Sequence, residues 1–149
     1  MEVGVYNGQN AVRMVKTATE THPPDEVEYY GFDFFYNYSQ KKIGKKLDEL
    51  GCKYKLFEGN TMDTIPEAVK ILPKMDIIFI DGGKSYSEAW SDWTGSSRLM
   101  HLGTGVFVHN VSFSGVGRMV RNIPRDKYDV EVWNAPSEGR VAQIKKRAH

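Results

Sequence analysis

Short apolar runs that end in glycine or an acid, with helix-like stretches between them, limit this chain to few folds. Glu2-Val3-Gly4-Val5-Tyr6-Asn7-Gly8 opens the sequence, and Tyr30-Gly31-Phe32-Asp33 follows. Met75-Asp76-Ile77-Ile78-Phe79-Ile80-Asp81-Gly82-Gly83 comes later. Such runs alternating with helices imply a parallel sheet buried on both faces. Ligands of such sheets bind beyond the carboxyl ends of the strands, where the winding direction reverses. Those ends carry Gly4, Gly8, Asp33, Asn60 and Asp81 here, a set suited to a nucleoside-bearing cofactor.

Periodicity places a first strand over residues 2–6 and a helix over residues 9–19, stopped by His22-Pro23-Pro24. Strand two covers residues 27–35, Ser39 caps a helix over 40–50, and strand three covers 52–58. Thr61 or Asp63 caps a third helix reaching Leu72, with Pro66 in its first turn. Strand four spans residues 76–81. A helix over 85–100 breaks near Gly95, with Trp90 and Trp93 on one face as core or interface residues. His101 falls in the turn before strand five, at 105–111. A short helix over 116–122 precedes two strands, 128–133 and 140–146, joined by a six-residue loop and expected to pair antiparallel.

The 149 residues fit one domain, 1–149. The first strand starts at Glu2, so either a preceding segment is missing or the protein is a minimal core without an N-terminal extension. A net charge of +1 gives no case for nucleic acid or an anionic membrane. Lys145-Lys146-Arg147 reads as a solvated tail. The single cysteine, Cys52, excludes an intramolecular disulfide and reads as a buried inert thiol. That usage suits a reducing cytoplasm. No apolar run is long enough to span a bilayer, and no signal segment opens the chain. The expectation is a cytoplasmic protein, compatible with a homo-oligomer.

Glu2-x-Gly4-x-x-x-Gly8 forms a glycine-bearing turn from strand to helix, where backbone can approach a ligand and free N–H groups face it. It is not Gly-x-Gly-x-x-Gly, which argues against a nicotinamide or nucleotide-sugar enzyme, nor is it a phosphate loop. Asp33, closing strand two, suits the two hydroxyls of a ribose.

With Glu58-Gly59-Asn60-Thr61 and Phe79-Ile80-Asp81-Gly82-Gly83-Lys84-Ser85-Tyr86 added, the ordered set resembles a class I S-adenosylmethionine-dependent methyltransferase. It is most similar to the small-molecule O-methyltransferase-like group, whose fourth strand ends Phe-Ile-Asp-Gly-x-His-x-Tyr. The resemblance spans nearly the whole chain. It implies a Rossmann-like α/β fold with a doubly wound, mostly parallel seven-stranded sheet of order 3-2-1-4-5-7-6. It also implies S-adenosylmethionine as cofactor and a small molecule as methyl acceptor. Gly4, Tyr6 and Gly8 would line the methionine end, with Glu2 supporting the turn. Asp33 would hold the ribose, with Phe34 beside the adenine. Gly59, Asn60 and Thr61 would meet the adenine edge, and Asp81 would stand at the mouth of the catalytic pocket.

Two departures from the group's pattern matter. Lys84 stands where its histidine does, and His109-Asn110 stands where metal-dependent relatives carry Asp-Asn. Magnesium prefers carboxylate and water oxygens, so no tightly held magnesium is expected. An ion between Asp81, His109 and Asn110 would be a transition metal, while the simpler reading gives His109 a hydrogen bond at the strand end. Asp81, Lys84 and His109 are the candidate catalytic groups. The same departures leave open a non-catalytic protein of this fold that binds the cofactor or a partner.

Overall fold

The computed structural model describes residues 1–148. They form β1 (Glu2–Val3), α1 (Gln9–Thr19), β2 (Glu28–Asp33), α2 (Gln40–Asp48), β3 (Lys53–Glu58), α3 (Thr61–Ala68) and β4 (Met75–Ile80). They continue with α4 (Tyr86–Ser97), β5 (Met100–Val108), α5 (Ser114–Asn122), β6 (Tyr128–Ala135) and β7 (Gly139–Lys146). The sheet runs β3-β2-β1-β4-β5-β7-β6, with β7 antiparallel to both β5 and β6. This is the predicted order. β1 lies inside the sheet between β2 and β4, and the winding reverses between β1 and β4.

Two apolar layers hold the sheet between helices. Ile65 of α3, Trp93 of α4 and Met119 of α5 pack with Phe32, Ile78, Val106 and Ile144 of the sheet. On the opposite face, Ala11 and Val15 of α1 join Ile43 and Leu47 of α2 against Tyr29. That second layer does not reach β4, where Ile77 stays exposed. Burial on both faces therefore holds for β1 and β2, not for the whole sheet.

Boundaries shift for local reasons. β1 stops at Val3 because Gly4 takes φ +87°, turning the backbone out of the strand. The α3 cap is Asn60, not Thr61 or Asp63: its Oδ1 accepts from Met62 N at 3.0 Å. Pro66 lies inside that helix rather than in its first turn. α4 passes through Gly95 unbroken, because the missing side chain makes room for Ile65 of α3. β5 begins at Met100, so His101 belongs to the strand and meets Asp76 Oδ1 at 3.1 Å. Trp93 is core and packs edge-on against Tyr128, while Trp90 stacks on Tyr86 at the rim of that core. Cys52 is buried, and burial pushes its thiol pKa up, as an inert cysteine requires.

Candidate functional site

Four carboxyl strand ends converge at the β1–β4 reversal. The turn after β1 carries Gly4 at φ +87°, Tyr6 at +49° and Gly8 at +76°. A Cβ on Gly4 would collide with the Asp81 carbonyl oxygen, so only glycine lets the turn lie against the end of β4. Gly8 caps α1 in the left-handed conformation, and at the helix entrance Asn7 Oδ1 accepts from Gln9 N at 3.0 Å.

Asp33 holds that turn. Its Oδ2 accepts from Val5 N at 2.8 Å and Tyr6 N at 2.9 Å, and its Oδ1 from Phe35 N at 2.9 Å. Support for the turn, assigned to Glu2 from the sequence, thus comes from Asp33. Glu2 is buried beneath: its Oε1 accepts from Asn10 Nδ2 at 2.8 Å and its Oε2 from the Tyr29 hydroxyl. Burial raises its pKa, and the Tyr29 and Asn10 donors partly offset this. Glu2 therefore ties β1 to α1 and β2. Asn10 was missed because nothing in the sequence marks a partner eight positions away.

Phe34 is exposed and stacked on Tyr36, centroids 5.0 Å apart, and Tyr6 meets Tyr38 edge-on. Gly59, at φ +135°, turns the chain out of β3 before Asn60 caps α3.

At the other side of the reversal Asp81 gathers three partners. Lys84 Nζ forms an ion pair with Oδ1, Asn110 Nδ2 donates to Oδ1 at 2.7 Å, and His109 Nδ1 lies 3.1 Å from Oδ2. The three candidate catalytic groups are thus one cluster. His109 Nε2 faces the Glu138 carbonyl oxygen at 2.9 Å and so must carry a proton. Its Nδ1 stands between an acceptor, Asp81, and a donor, Asn110 Nδ2 at 2.8 Å. Nδ1 can therefore hold a proton, donated to Asp81, or give it up and accept from Asn110. That is the arrangement an acid–base group needs. Glu138 was not foreseen, because only the β6–β7 register brings its turn over β5.

A cavity of about 610 Å³ opens between the start of α1, Asp81, His109 and the β6–β7 hairpin, walled by Phe79 and Trp133. A second, of about 500 Å³, lies at the amino ends of the strands beside Met14, His22 and Asp76. Only the first meets the glycine turn and the titratable cluster, and parallel sheets bind ligands at that end.

Residues 1–111 match the model of a family described as a methyltransferase domain. The chain belongs to that family. Among solved structures, this methyltransferase domain resembles CalS11, a TDP-rhamnose 3'-O-methyltransferase of calicheamicin biosynthesis, at 16% identity and a TM-score of 0.81. That match covers 100% of this chain and 71% of CalS11. TomG from Streptomyces achromogenes, an O-methyltransferase of tomaymycin synthesis solved with S-adenosylmethionine, matches at 15% identity and a TM-score of 0.81 over 99% of this chain and 72% of its own. An O-methyltransferase from Bacillus cereus solved with S-adenosylhomocysteine gives 12% identity and a TM-score of 0.77 over 98% and 72%. At such identities these structures establish the fold of the methyltransferase domain and no more. No curated protein matches the sequence.

Proposed function

We propose that this chain is an S-adenosylmethionine-dependent methyltransferase acting on a hydroxyl of a small-molecule acceptor. The observation that carries the reading is the junction at the β1–β4 reversal. There a turn that admits only glycine lies against a carboxylate–lysine–histidine–asparagine cluster, beside a cavity of about 610 Å³. The residues fit an adenosine-bearing methyl donor. Gly4, Tyr6 and Gly8 would line its methionine end, Asp33 would meet the ribose and Phe34 the adenine face. Gly59, Asn60 and Thr61 would border the adenine edge. When bound, the cofactor supplies an electrophilic sulfonium methyl.

The protein's part is then orientation and proton removal. Holding an acceptor oxygen in line with the methyl supplies much of the acceleration through proximity. An acceptor hydroxyl that displaced Asn110 Nδ2 from the single lone pair of His109 Nδ1 would pass its proton there, and Asp81 would stabilise the resulting charge. Lys84 forms an ion pair with the other oxygen of Asp81 and balances its charge. Phe79 and Trp133 give the cavity apolar walls suited to a compact, partly apolar acceptor.

A second reading, binding without transfer, draws on one observation: Asp81 is already engaged by three side chains. Calorimetric titration with S-adenosylhomocysteine, then transfer from labelled S-adenosylmethionine to a panel of phenols and sugar alcohols, separates the two. Binding with transfer to at least one acceptor, lost in His109→Ala while binding persists, is expected. Binding without any transfer favours the second reading, and no binding overturns both.

A further inference from the structure

Asp92 on α4 is fully buried, on the helix face shared with Ala89, Trp93 and Ser96. Neither of its carboxylate oxygens completes a hydrogen bond. An isolated carboxylate in such surroundings is costly enough that proteins pair or neutralise it. Its position is specific: Oδ2 lies 2.5 Å from where a Cβ of Gly82 would stand, and Val3 of β1 borders the same point. The carboxylate thus fills the space of the absent side chain, directly under the turn that leads from Asp81 to Lys84. Two donors face it without closing onto it, the Thr61 hydroxyl at the start of α3 and the Gly83 N–H.

We propose that Asp92 is a positioning residue of the cofactor site, a conclusion that rests on the methyltransferase reading above. It lies between the Gly82–Gly83 turn and Thr61, which the methyltransferase reading puts on either side of the adenosine half of the cleft. Ligand binding draws the Gly83 N–H and the Thr61 hydroxyl onto its two oxygens. The carboxylate spends no contact on the ligand itself and acts through these two groups.

The ionised form has acceptors for both donors, and the protonated form gives up part of that capacity. Burial raises the Asp92 pKa to about 6, helped by Glu88 and opposed by Thr61, the Gly83 N–H and Lys84. The charged groups facing it are Glu88 on its own helix and Lys84 on the β4–α4 turn; α3 presents Thr61 and β1 presents Val3. Affinity for ligand should therefore fall as pH drops through about 6.

The test is calorimetric titration of the full chain with S-adenosylhomocysteine at about pH 7.5 and about pH 5.5, with thermal melts confirming folding. Wild-type affinity should fall several-fold at the lower pH. Asp92→Asn should bind about five- to tenfold more weakly at the higher pH and show little pH dependence, since it offers a single fixed acceptor. Thr61→Val should weaken binding alone but add nothing to Asp92→Asn. An Asp92→Asn protein with wild-type affinity, or with the wild-type pH slope retained, overturns the proposal. Should Asp92→Asn fail to fold, the pH slope of Thr61→Val decides: a wild-type slope overturns the proposal and a flattened slope supports it, since a contact of Thr61 with adenine alone would leave the slope intact. A wild-type protein that binds no S-adenosylhomocysteine at either pH fails at the earlier step, the methyltransferase reading itself.

Discussion

Removing the Asp33 carboxylate would strand three backbone N–H groups, those of Val5, Tyr6 and Phe35. Asp33→Ala is therefore expected to lower stability by about 1–3 kcal/mol as well as to weaken cofactor binding by about 1.5–3 kcal/mol. An acid that served the ribose alone would have little bearing on folding; these backbone partners give Asp33 a structural part as well. A melt unchanged from wild type would show that the turn does not depend on Asp33. Glu2 titrates in the opposite sense from a salt-bridged acid. Its folded pKa is raised by burial, so the folded state holds the proton more tightly than the unfolded chain. Its contribution to stability is thus best at low pH and declines as pH rises from the ordinary carboxylate value through the raised one. Glu2→Gln should remove that decline, gaining on wild type in denaturant midpoint as pH rises from about 5. Parallel midpoints across the range would place Glu2 in a wetter setting.

Glycines decide how the elements meet. In Gly95→Ala the added methyl would run into Ile65 of α3, and such overpacking costs about 1–3 kcal/mol in stability. The helix-propensity gain of alanine, about 1 kcal/mol, works against this. A net loss in urea midpoint is expected, and a net gain would mean that α3 and α4 separate easily. Gly95 looked like a helix break from its neighbours in sequence, but the reason for it lies in another helix. The same distinction runs through the chain. Apolar periodicity and turn residues act over a few positions, so the existence of all seven strands and five helices was legible. The start of β5 was not, because it depends on Met100 pairing with Met75 of β4 before a register shift that resumes pairing only at Gly105. In the site, Gly4, Asp33, Asp81 and His109 stood out because each closes or follows a strand. Asn10, Asp92 and Glu138 did not, since helix packing and hairpin register bring them in.

Across the whole molecule, charge placement bears on metal dependence. Lys84 puts a cation on Asp81 Oδ1, and Asn110 donates to the same oxygen. Magnesium would have to displace both for one anionic ligand, when it favours carboxylates and water. Metal analysis after purification, followed by titration with magnesium, should show no stoichiometric binding at micromolar concentration; such binding through Asp81 would mean that Lys84 swings away. We infer that the β1–β4 reversal is where this chain holds its methyl donor. A crystal structure with S-adenosylhomocysteine tests it most directly. The ligand's amino-acid end should lie at Gly4, its ribose hydroxyls at Asp33 and its sulfur facing the Asp81–His109 cluster. Ligand bound instead in the cavity beside Met14 and His22, at the amino ends of the strands, would contradict it.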